Sequence, residues 1–126
     1  MTILLALCWV LAAALAIVGI LGIVAPHGMA RIYGAPTGGH ASAGGFARAT
    51  AVRDLALGLA LGAAAYYRVT GLLVVLAISG IIVSAADFAI AYHASGRRMH
   101  ASHIGHGAGI VAFILVLTMA LFAVGL

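Results

Sequence analysis

The chain has 126 residues, 66% of them hydrophobic and 6% charged, with six arginines, two aspartates and a formal charge of +4. Soluble domains carry about 25% charged residues, so an ordinary water-exposed surface is excluded and little chain remains for a separate soluble domain. The single Cys8 excludes an intrachain disulfide.

Four apolar runs predict helices over 3–24, 46–66, 71–92 and 104–126. Each is about 21–23 residues long, enough at a ~1.5 Å rise to cross a hydrocarbon core of ~30 Å. The first run reads as a retained helix rather than a signal peptide. No basic residue precedes it, and its apolar stretch exceeds the usual h-region of about 7–15 residues. Pro26 stops that helix because proline cannot continue the hydrogen-bond ladder. In the long connection that follows, Arg31, Ile32 and Tyr33 are expected to form a short interfacial element. The stretch from Gly34 to Gly39 reads as turn chemistry. A tight link around 68–70 makes the second and third spanning helices antiparallel neighbours, and a short polar loop over 93–100 leads to the last. The expected fold is all-α: one integral membrane domain over 1–126, a bundle of four transmembrane helices.

The arginines are distributed as topology signals. Arg31, Arg48, Arg53, Arg97 and Arg98 fall toward one face and Arg68 toward the other. The positive-inside rule places the five-arginine face in the cytoplasm and both termini outside, in a multi-pass cell-membrane protein. Tyr66 and Tyr67 on the outer side, with Tyr33 and Tyr92 on the inner, fit interfacial anchors. With the positive charge so explained, no nucleic-acid partner is expected; the bilayer is the expected partner.

The two acidic residues, Asp54 and Asp87, both lie inside predicted spans. A carboxylate at the bilayer centre costs roughly 2.5–3.5 kcal/mol on insertion scales, so such groups pair, protonate or work. Asp54 shares a helix face with Gly58 and Gly62 by i+4 spacing, and Asp87 shares one with Gly80 and Ser84. Small residues let helices approach closely in lipid, so both aspartates are expected to face the bundle. Arg53, adjacent to Asp54, points about 100° away and is expected to snorkel to the headgroups.

His100, His103 and His106 open the last helix on the same side as both aspartates. Their i, i+3, i+6 spacing spreads them over about 120°, so only neighbouring pairs share one direction. With no H-E-x-x-H spacing and no accompanying cysteine, hydrogen bonding is favoured over metal binding, and no metal or cofactor is expected. The candidate site therefore comprises Asp54, Asp87, His103 and His106 as acid/base groups. Arg53, Arg48, Tyr92 and Ser84 are the candidate substrate contacts around them.

The run Ala51-Val52-Arg53-Asp54-Leu55-Ala56-Leu57-Gly58, with Ala86-Asp87 and a His-Gly start to the last helix, resembles an uncharacterised family of small four-helix membrane proteins. Its R-D-x-x-L-G element is the most specific part, and His93, His100 and His106 depart from the pattern. The resemblance implies a fold and a polar centre without an assigned activity.

Two classes of function follow. In one, the chain is a cofactor-independent isomerase or cyclase acting on a lipophilic small molecule, which needs proton donors and acceptors. In the other, it is a proton-coupled small transporter or an accessory subunit of a membrane complex. The gathering of polar groups at one end, with no ionisable residue in the outer halves of the two middle helices, favours a pocket over a proton path. A second copy of the chain is a further candidate partner.

Overall fold

The computed structural model describes residues 1–33, 40–94 and 101–125. The turn chemistry read at 34–39, together with Arg97, Arg98 and His100, lies outside the described residues. Five helices run in order: α1 (Thr2–Val24), α2 (Pro26–Ile32), α3 (His40–Tyr66), α4 (Thr70–Ala94) and α5 (Ala101–Val124). Three of them, α1, α4 and α5, are long and apolar enough to cross a membrane. The 27-residue α3 is long enough, but Arg48, Arg53 and Asp54 lower its hydropathy. It begins six residues before the expected start at 46, taking in a Gly/Ala-rich stretch that sequence pattern alone reads as loop.

Local chemistry sets the breaks. Ala25, held by Pro26 out of the helical region at φ −126°, separates α1 from α2, and its N–H donates to the Leu21 carbonyl. Pro26 is then the first residue of α2, where its missing N–H is no loss. The short element expected at 31–33 is thus the end of a seven-residue helix, with Arg31 in its last turn opposing the negative end of the dipole. Between α3 and α4, Val69 N–H donates to the Ala64 carbonyl and Arg68 sits at φ 55°, the left-handed position usually given to glycine in a Schellman ending.

The long helices associate as two antiparallel pairs. α1 packs chiefly on α3, and α4 chiefly on α5. The α3–α4 contact is much narrower than the tight link between them leads one to expect. Association in lipid gains nothing from hiding apolar surface, because lipid tails are as apolar as leucine; it depends on close packing. The α1–α3 seam shows this at Gly58, where an added Cβ would stand 2.9 Å from the Ala12 carbonyl oxygen and 3.0 Å from Leu15 Cβ. On the other pair, Gly80 leaves room for the Phe113 ring, which is buried at 1% exposure. Leu4, Leu61, Leu73, Phe113 and Val116 fill the core toward the Arg68 end, while Ile17, Ile82, Val111 and Phe122 point outward. At the opposite end, α2 closes over the α1–α3 pair through Met29, Ala30 and Tyr33 against Ala47 and Ala51.

Candidate functional site

Arg53 links the two helix pairs. Its guanidinium grips Asp87 on α4 with both terminal nitrogens: Nη1 donates to Oδ1 at 3.0 Å and Nη2 donates to Oδ2. Nη2 also lies 3.4 Å from Oδ1 of Asp54, a long contact with its own neighbour in sequence. This overturns one expectation. Arg53 does not run out to the headgroups but turns inward, and its partner is Asp87, 34 residues along the chain. The planar fork of arginine matches a carboxylate in this bidentate way, which a lysine head could not reproduce. Both aspartates are buried, Asp54 at 9% and Asp87 at 7% exposure, whereas the Arg53 side chain keeps 36% of its surface.

A cavity of about 360 Å³ lies against this cluster and is walled by all four long helices. α1 contributes Leu11, Leu15 and Val18; α3 contributes Asp54 and Leu57. Val83, Ser84 and Asp87 line it from α4, and His106, Gly109 and Phe113 from α5. Tyr33 and Ile32 cover the end nearest α2. Ala14, Ile32, Gly105 and Ala108 in the lining are exposed on the outer surface, where α1 and α5 touch little. The cavity is therefore an apolar recess with a side opening and a polar end.

The α5 histidines take different places. His106 lines the cavity, with Nε2 3.3 Å from the Tyr33 carbonyl oxygen, a geometry in which the ring N–H donates. His103 is 1% exposed and packs edge-on to Phe88 and Tyr92, at centroid distances of 5.2 and 6.0 Å. Phe88 and Tyr92, one turn apart on α4, stack with each other at 6.4 Å and form one aromatic wall for His103. Of the residues singled out from sequence, Asp54, Asp87, His106 and Ser84 come together at the cavity, with Arg53 behind the aspartates. His103 and Tyr92 belong to the neighbouring aromatic cluster, and Arg48 is exposed on α3. Among the described residues, no three His, Cys, Asp or Glu side chains converge as ligands of one metal ion.

Sequence reasoning missed the place of Tyr33, which it assigned to the membrane surface. The ring is 4% exposed and its hydroxyl donates to the Val18 carbonyl at 3.2 Å. Burial, reinforced by the nearby Asp54 carboxylate, pushes the phenol up to about 12, so it is a neutral hydroxyl throughout the ordinary pH range. Its signal was present in the tandem of Pro26 and Arg31, which starts and ends a helix that folds Tyr33 back.

Fold and site together define a small all-helical protein, three of whose helices are long and apolar enough to cross a membrane, around a partly polar recess. The chain belongs to the family described as Domain of unknown function (DUF4267), whose family model matches residues 12–121. The match spans α2, α3 and α4 entirely, the second half of α1 and most of α5, and agrees with the resemblance carried by the R-D-x-x-L-G element. Comparisons with curated proteins and with solved structures gave no match.

Proposed function

We propose that this protein crosses the membrane four times, with α3 as the fourth crossing, and binds a lipophilic small molecule on which it performs acid/base chemistry. Isomerisation or cyclisation without a cofactor is the reaction class that suits it. The observation that carries the reading is an apolar recess, open to the side, that ends on a buried carboxylate with little intramolecular satisfaction. Arg53 engages both oxygens of Asp87, yet among the described residues it gives Asp54 only a single 3.4 Å contact. Asp54 is thus the acid/base group, Asp87 the anchor that keeps the guanidinium in place, and His106 and Ser84 the polar contacts beside them.

The side opening suits a ligand arriving from the bilayer, and the walls of Leu, Val and Phe suit its apolar body. With the arginine-rich end in the cytoplasm, the polar end of the recess lies toward that side. The test is purification in a mild detergent, mass spectrometry of the co-purifying lipophile, and turnover of that compound by wild type and by Asp54→Asn. Turnover lost in a variant that still folds and retains the ligand supports the reading. Full turnover by Asp54→Asn rules it out.

A further inference from the structure

Within that reading, the charge count of the recess indicates what its ligand looks like. We infer that the site is complementary to a lipophilic cation, so that a molecule with an apolar body and one protonated amine fits it better than its neutral or anionic counterparts. Two carboxylates, Asp54 and Asp87, meet one guanidinium, Arg53, which leaves one negative charge in excess when both acids are ionised. The other polar groups beside Asp54 give their hydrogen bonds elsewhere. Tyr33 spends its hydroxyl proton on the Val18 carbonyl, and His106 directs its Nε2 proton to the Tyr33 carbonyl and not to Asp54. The remaining walls are apolar. A bound ammonium or a proton on Asp54 each completes the balance, and an anionic ligand worsens it.

This inference rests on the acid/base reading and fixes the sign of its intermediate. The protonated Asp54 carboxyl gives its proton to a carbon–carbon double bond; the π pair forms the new C–H bond. A carbocation is left facing the carboxylate just formed. Loss of a proton from the adjacent carbon to that carboxylate moves the double bond and restores the acid, with no other reagent consumed. A lipophilic amine is then the stable counterpart of the cation.

The test compares three probes of equal chain length, octylamine, 1-octanol and octanoate, on the protein in phosphatidylcholine nanodiscs. Apparent affinities come from the dose dependence of the unfolding midpoint. Octylamine is expected to bind about tenfold or more tightly than octanol, the scale of one charge-assisted hydrogen bond, and octanoate weakest. The preference should disappear in Asp54→Asn with octanol binding retained, persist in Asp54→Glu, and fade in wild type at a pH low enough to protonate the carboxylate. Equal binding of amine and alcohol by wild type, or a preference that survives in Asp54→Asn, overturns the inference while leaving the lipophile pocket standing. Failure of all three probes on wild type overturns the pocket itself. The wild-type comparison decides the matter even where the Asn variant does not fold.

Discussion

At the level of single residues, Arg53 is the group on which the buried Asp87 carboxylate depends. Replacing it with Gln leaves Asp87 without its bidentate partner. Breaking a buried pair in this way costs about 3–5 kcal/mol, and the lower end applies because Arg53 keeps a third of its surface. Chemical or thermal unfolding in detergent should show that loss, and the Arg53→Gln/Asp87→Asn double variant should lose less than the sum of the two single ones. Tyr33 carries a pH signature. Its folded value of about 12 stands above the ordinary value of 10, so between those values the unfolded chain has released the phenolic proton while the folded one keeps it. Stability therefore falls as pH rises through that window. Tyr33→Phe should flatten the alkaline limb, at the cost of about 1 kcal/mol for the bond to Val18. Sequence made the two aspartates legible, since their cost in an apolar run is a local property. Their shared partner was not, because Arg53 and Asp87 meet only through the packing of two helices that touch over a small area.

The helices themselves were readable to within a few residues wherever apolar runs end at Pro26 or at the Arg68 turn. The start of α3 was not, because a Gly/Ala-rich stretch has no apolar period to reveal a helix. Pairing was legible only in part. The stripe of small residues on α3 marks a close contact, but nothing in it says that the partner is α1 rather than α4. Two neighbouring glycines separate these roles experimentally. At Gly58 an added methyl meets α1 backbone at 2.9 Å, whereas at Gly62 the nearest atoms stand 3.6 and 3.7 Å away, an ordinary contact. Gly58→Ala should destabilise the α1–α3 pair by about 1–3 kcal/mol, as overpacking does, while Gly62→Ala should be neutral or slightly stabilising through its better helix propensity. Unfolding midpoints of the two variants, measured side by side, check this.

For the molecule as a whole, the four-crossing proposal makes a topological prediction. In a Cys8→Ser background, cysteines placed at Arg48 and at Arg68 should react with a membrane-impermeant maleimide from opposite sides of sealed vesicles. Labelling of both from one side would mean that α3 does not cross. The pairing of α3 with α1 also has a consequence for how the chain is made. If α3 is the fourth crossing, this helix with its Arg48, Arg53 and Asp54 reaches the bilayer before α4 brings Asp87 to it, so its guanidinium must enter the membrane ahead of its eventual partner. What awaits it is α1, already in lipid, offering the Gly19 and Gly22 surface into which Leu55 and Ala51 fit. Integration of α3 should then depend on the helix before it. In a glycosylation-mapping assay, α3 preceded by α1 should insert and carry a downstream acceptor site into the lumen, and α3 behind an unrelated helix of the same orientation should largely stay on the cytosolic side with that site unmodified.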